Sequence, residues 1–169
     1  MSGRLLTLAS ALLLGAGLAA AAPTGAKLTV GDVRTLVAAM EAATKAGDTQ
    51  KVASFMADDC AVTTSFPRKD GSKKVTVKSK SKFVEDDTAD RAKNGPHEYV
   101  SSVPTVDIDD AHTIAKASYK ATDRYMQDGK TVTVVAYQIA TVELRDGAPK
   151  VTAMDVDAVA MSIDDRQIF

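Results

Sequence analysis

The chain has 169 residues, 45% of them hydrophobic, with 21 lysines and arginines against 22 aspartates and glutamates. That length builds one domain with a modest core and hardly two, and the near-neutral balance leaves no electrostatic footprint for a polyanion such as nucleic acid. Cys60 is the single cysteine, which excludes an intramolecular disulfide framework; at the start of a strand it reads as a small buried apolar residue.

At the N-terminus, Arg4 precedes an apolar run from Leu5 to Leu18 and then the small residues Ala19 to Ala22. This is the order of a secretory signal peptide. The expectation is that residues 1–21 are removed, that the protein is exported to a periplasm or out of the cell, and that no membrane span remains. Residues 22–30 then read as a loose linker.

Asp32 is the expected cap of a first helix in which Val33, Leu36, Val37, Met40 and Ala43 recur at helical spacing up to Gly47. Asp48 caps a second, short helix with Val52, Phe55 and Met56 inward, and Asp58-Asp59 end it before a strand from Cys60 to Phe66. The segment from Arg68 to Lys82 is basic. Within it Val75 and Val77 alternate with Thr76 and Lys78, as in an edge strand whose lysines discourage pairing with other chains. Glu85, Asp86, Asp87 and Asp90 come soon after and balance the charge. A third helix runs from Ser81, with Phe83, Val84 and Ala89 apolar, to the stop Asn94-Gly95-Pro96.

From His97 to Met161 the pattern becomes that of long antiparallel strands, with turns at Asp107 to Asp110, Asp128-Gly129 and Asp146-Gly147. Ala115, Ala117, Tyr119, Ala121, Asp123 and Tyr125 share one strand face, while Lys116, Ser118, Lys120, Thr122 and Arg124 share the other. The greasy face needs the upstream helices as its cover, which predicts an α+β layer architecture over residues 31–161. The strand holding Val134, Ala136, Gln138, Ala140 and Val142 on one side and Val135, Tyr137, Ile139 and Thr141 on the other is apolar on both faces. Such a strand is covered twice, so a homodimer packed through the outer sheet face is expected. The tail, residues 162–169, is mostly polar and is assigned no element.

The stretch Ala46-Gly47-Asp48, a helix, Phe55-Met56-Ala57-Asp58-Asp59 and an alternating strand through Val62 resembles the start of the nuclear transport factor 2-like superfamily. This superfamily of cone-shaped domains includes the ketosteroid isomerases and the SnoaL-like polyketide cyclases. The turns at Asp109-Asp110-Ala111 and Arg145-Asp146-Gly147 are similar in kind. The resemblance implies three N-terminal helices packed on a strongly curved antiparallel sheet. It also implies positions for the isomerase branch's catalytic groups: the general base falls at Thr64, the oxyanion-binding tyrosine at Met40 and the protonated acid near Thr141. None of the three groups is present. Proton abstraction beside a carbonyl needs a base that can hold the proton and a donor at the developing oxyanion, so steroid isomerase activity is not expected. His97 falls about where dehydratase and cyclase relatives carry a histidine facing the cone.

Two residues remain as catalytic candidates. Asp123, if inward, would have its pKa raised by an apolar cone and could form an acid–base pair with His97; otherwise it is a rim carboxylate beside Arg124. Tyr99, Tyr119 and Tyr125, with Met40 and Thr64, are the expected lining of a ligand pocket. Asp107, Asp109, Asp110 and His112 lack the spacing of a calcium loop, and acids that shape a hairpin turn account for them; neither metal nor cofactor is expected. Asp155 and Asp157 share a strand face and read as solvated or paired with lysines. The function expected from these residues is binding of a small apolar ligand or a protein partner. The alternative is a cofactor-free isomerase, dehydratase or cyclase acting on a small polyketide- or steroid-like substrate.

Overall fold

The computed structural model describes residues 27–68 and 70–169. The expected signal peptide and residues 22–26 of the linker lie outside the described residues. The C-terminal end of the linker is fastened rather than loose. Leu28 is fully buried, its N–H donates to the His112 carbonyl at 2.9 Å, and His112 Nδ1 lies 3.2 Å from the Leu28 carbonyl.

Helix α1 spans Val30–Lys45 and starts before Asp32, because Thr29 is its cap. The Thr29 hydroxyl accepts the Asp32 N–H at 3.1 Å, and the Asp32 carboxylate accepts the Thr29 N–H at 3.1 Å. This reciprocal box satisfies two otherwise orphaned donors, which a lone Asp32 cap would not. Val33, Leu36, Val37, Met40 and Ala43 form the buried stripe. Gly47 turns the chain at a φ of 70°, and Asp48 caps α2 (Thr49–Ser54) by accepting the Lys51 N–H at 2.8 Å.

Strand β1 (Met56–Pro67) begins four residues ahead of Cys60, with Asp58 and Asp59 inside it. The Val151 N–H donates to the Phe55 carbonyl at 3.0 Å and Met56 pairs with Val151, so pairing starts there and a register shift absorbs the residues up to Ala61. The edge strand β2 spans Lys73–Ser79, and α3 spans Lys80–Asn94, capped by Ser79 and ended by Gly95 at a φ of 81°. Its basic flank is paired within the chain: Lys78 to Asp86 at 2.7 Å, Lys80 to Asp58 at 2.9 Å and Lys82 to Asp86 at 2.8 Å.

The remaining strands are β3 (Glu98–Ser101), β4 (Thr105–Ile108), β5 (Ile114–Gln127), β6 (Lys130–Arg145), β7 (Ala148–Ile163) and β8 (Arg166–Gln167). Their order across the sheet is β2-β1-β7-β6-β5-β3, with β4 also on β5 and β8 on β7. The sheet is mixed, not wholly antiparallel as expected, because β1 runs parallel to β7. These two strands are joined through α3 and the rest of the sheet, the long connection that parallel neighbours require. Asp128-Gly129 and Asp146-Gly147 both hold two consecutive positive φ values, the sign pattern of type I′ hairpins. At the first turn, the Asp109 carboxylate accepts the N–H groups of Thr113 at 2.7 Å and Ile114 at 2.9 Å, so the acid shapes the loop. The polar tail does form an element: β7 continues to Ile163, turns at Asp164-Asp165 and is followed by β8.

The helices lie on the concave face, and Val33, Cys60, Val142 and Val151 meet in the core between the layers. Burial, and behind it the Asp59 charge, pushes the Cys60 thiol up to about 11. A thiol in that state supplies almost no thiolate near neutral pH. Ellman's reagent at about pH 8 is therefore expected to leave the native protein unmodified and to titrate Cys60 only after denaturant is added. Among the described residues no helix is long and apolar enough to cross a membrane.

Candidate functional site

Between the helices and the concave face of the sheet lies a cavity of about 180 Å³. Helix α1 contributes Val37, Met40, Glu41 and Thr44 to its wall, and α3 contributes Phe83, Asp87 and Arg91. Those three α3 residues are four apart, so they form a single stripe along the helix. The sheet supplies Met56 and Val62 from β1, Tyr99 and Ser101 from β3, Tyr119 and Asp123 from β5, Gln138 from β6, and Met154 and Val156 from β7. Apolar surface dominates, and a few polar groups converge on one end.

Asp123 reaches the cavity through the alternation predicted for β5. Ala115, Ala117, Tyr119 and Ala121 are buried, and Asp123 comes next on the same face with its side chain 32% exposed. Behind it stands His97, 6% exposed. His97 Nδ1 lies 3.0 Å from Asp123 Oδ2 and 3.2 Å from Oδ1, and its Nε2 lies 3.1 Å from Asp90 Oδ2. The imidazole stacks on Tyr125 with ring centroids 4.6 Å apart and planes 10° from parallel. Two carboxylates and one aromatic face thus fix the ring in a single orientation.

Burial raises the Asp123 carboxyl above the ordinary aspartate range, although the neighbouring His97 pulls it down. With Asp123 ionised, an N–H on Nδ1 donates to it, while Asp90, 43% exposed, does not depend on the ring for a partner. With Asp123 protonated, its O–H donates to Nδ1 and a neutral imidazole donates from Nε2 to Asp90. The Asp123–His97 contact is therefore satisfied with the donor on either partner.

Other polar groups on the wall are held by local partners. Burial raises Glu41, but Lys45 at 2.8 Å and the Ser101 N–H at 3.3 Å outweigh it, so its carboxyl is lowered overall. Asp87 receives Arg91 Nε at 2.9 Å and the hydroxyl of the buried Thr49. Burial pushes the Tyr99 phenol far up and the Tyr119 phenol up to about 12, so both remain O–H donors across the physiological range. Their present partners are weak: Tyr99 donates to Gln138 Oε1 at 3.3 Å and Tyr119 to Met154 Sδ at 3.9 Å.

The structure brings together Met40, Tyr99, Tyr119 and Asp123 at the cavity, with His97 immediately behind. Tyr125 lies on the far side of His97, in a shallow hollow with Pro96 and Arg124. Thr64 is not on the cavity wall; it lies beside Lys78, Phe83 and Asp86 in a groove that adjoins the cavity and shares Val62, Phe83, Asp87 and Val156 with it. Thr141 pairs with Lys116 and Ala153 on the convex face of the sheet, and Tyr137 is 57% exposed there. Sequence reasoning missed Asp90, Glu41, Arg91 and Gln138. The four-residue spacing of Phe83, Asp87 and Arg91 was the available signal for Arg91, whereas Asp90 touches His97 only because Gly95 turns the chain back.

No protein-family model matches the chain, and no curated protein matches it in sequence. Solved structures do. A nuclear transport factor 2-like protein from Cytophaga hutchinsonii is 17% identical over 78% of this chain and 100% of its own, with a TM-score of 0.61. A hexachlorocyclohexane dehydrochlorinase from Novosphingobium barchaimii is 11% identical over 79% of this chain and 88% of its own, with a TM-score of 0.62. A ketosteroid isomerase-like protein from Erwinia carotovora atroseptica is 11% identical over 76% and 95%, with a TM-score of 0.58. Likeness at such identities fixes architecture and leaves chemistry to the site: the chain has the cone fold of the nuclear transport factor 2-like proteins.

Proposed function

We propose that the cone binds a small, mostly apolar molecule of about one ring and transfers a proton on it through Asp123. The observation that carries this reading is the position of Asp123, a carboxyl raised by burial, on the cavity wall with a buried histidine locked behind it. A base whose pKa is moved toward the working pH is what general acid–base catalysis requires. Asp123 takes a proton from carbon, and the electron pair moves onto an adjacent carbonyl oxygen. The Tyr99 and Tyr119 phenols are the donors on the same wall for that oxygen. Return of the proton at another carbon gives an isomerisation, and departure of a leaving group gives an elimination. The fold neighbours named as a dehydrochlorinase and as isomerase-like support this class of reaction.

The volume bears on substrate size. About 180 Å³ is close to the roughly 150 Å³ of an apolar cavity that accepts benzene, so a one-ring compound fits where a four-ring steroid does not. The test uses phenol and cyclohexenone as probes in ligand-observed NMR. Both are expected to bind at millimolar concentration, and Met40→Trp, which fills the α1 side of the cavity, is expected to abolish the signal. Absence of binding to the native protein, or binding that survives Met40→Trp, overturns the reading.

A further inference from the structure

Helix α3 is held on the sheet by polar bonds more than by a packed apolar face. None of its described residues is buried. Beneath it a groove of about 600 Å³ stays open, with Val62, Thr64, Phe83, Ala89 and Val156 on its walls. The groove adjoins the cavity, and Val62, Phe83 and Val156 line both. Strand register shows how the two connect. Tyr119 pairs with Gln138, Gln138 with Val156 and Val156 with Thr64. Directly paired residues point to the same face, so these four side chains make one row across the concave side of the sheet. The row begins on the cavity wall and ends in the groove. Three strand spacings separate its ends, about 14 Å. The charged groups along the groove already have partners. Asp86 holds Lys78 at 2.7 Å, Asp87 holds Arg91 at 2.9 Å and Asp90 holds His97 at 3.1 Å. Lys93 reaches Asp128 at 3.1 Å. Among the described residues the groove thus offers an occupant apolar surface and no free ionic partner, which favours a hydrocarbon chain over a charged one.

We infer that the cone's ligand is a ring compound bearing an unbranched alkyl chain. The ring occupies the cavity, and the chain runs across the strands beneath α3, over Val156 to Thr64. This rests on the reading that the cavity takes a one-ring molecule and extends it to the substrate class, a ring ketone with an alkyl tail. The chain supplies the apolar contact that α3 lacks on its sheet side, and its own removal from water drives the binding. Because the row crosses β6, β7 and β1 rather than following one strand, the tail leaves the cavity on the side away from His97 and does not displace the His97–Asp123 contact.

The test compares phenol, para-butylphenol and para-hexylphenol by isothermal titration calorimetry on the native protein. The dissociation constant is expected to fall about threefold for each added methylene, somewhat less than the roughly fourfold of complete burial. Thr64→Trp fills the groove from the sheet, and Ala89→Trp fills it from the exposed side of α3. Neither residue is on the cavity wall, so both variants are expected to bind phenol as wild type does and to lose the gain from the chain. Their phenol binding is the control for folding. If phenol binds and chain length makes no difference, or if the gain survives both substitutions, the alkyl subsite is wrong and the one-ring reading stands. If none of the three compounds binds, both fall.

Discussion

Replacing His97 by alanine is expected to lower the unfolding free energy by about 2–3 kcal/mol, the sum of a packing loss and two severed hydrogen bonds. The ring is 6% exposed and stacked on Tyr125, so its removal opens a hole against an aromatic face. Among the described residues it is also the group that joins Asp90 of α3 to Asp123 of β5, and the variant leaves Asp123 partly buried without its ring partner. Asp90 and Asp123 keep some access to water, which holds the loss below that of a fully buried pair. For a domain of this size the change corresponds to a fall in Tm of about 5–10 °C. Urea denaturation monitored by circular dichroism measures it. The pH dependence distinguishes the electrostatic part from the packing part. Asp123 has a raised folded-state pKa, so its own contribution is fully present below the unfolded value and is lost as pH rises through the raised one. Without His97 the carboxyl rises further, and the gap between variant and wild type narrows on acidification as Asp123 becomes neutral. A gap that stays constant between neutral pH and the carboxylate range would show that His97 acts by packing alone.

The strands, turns and buried faces are legible because their signals are local. Period-2 alternation places Ala115 to Asp123 inward, and Asp-Gly pairs place two hairpins at the residues where the backbone turns left-handed. The first cap lies three residues ahead of the expected one because Thr29 and Asp32 are each sound caps alone and only their reciprocal bonding decides between them. The parallel pairing of β1 with β7 is not legible, since nothing in either strand marks the direction of a neighbour some ninety residues away. The same distance limit applies at the site. Residue type and strand face single out His97 and Asp123, but their 3.0 Å contact depends on β3 pairing with β5 in the register that sets Glu98 opposite Arg124 and Tyr99 opposite Asp123. Asp90 adds a partner from a different layer. Thr64 stays off the cavity wall although β1 reaches that wall through Met56 and Val62: two residues beyond Val62, it opens into the adjoining groove beside Lys78 of the edge strand.

Asp123→Asn is expected to cut the rate of proton exchange on a bound one-ring ketone by about 10²- to 10⁴-fold, the range over which a positioned general base contributes. Asparagine keeps the shape and can still hydrogen-bond His97, so binding of cyclohexenone should persist while chemistry is lost. That separation of binding from turnover is what a base, and not a wall residue, predicts. The measurement is the loss of ring-proton NMR signals of cyclohexenone in heavy water, with wild type, variant and buffer compared. The sign of the pH profile comes from the site. Only the ionised carboxylate can accept a proton, and burial has raised Asp123 above the ordinary aspartate range. The wild-type rate should therefore climb with pH through that raised value and then level off, whereas the variant should stay flat. Tyr99→Phe is the companion change, since it removes a phenol from the same wall without touching the base. It should lower the plateau and leave the midpoint of the profile in place. If wild type exchanges the ketone no faster than buffer, or if Asp123→Asn matches it, the cone is a binding pocket and the His97–Asp123 pair is a structural clasp between α3 and the sheet.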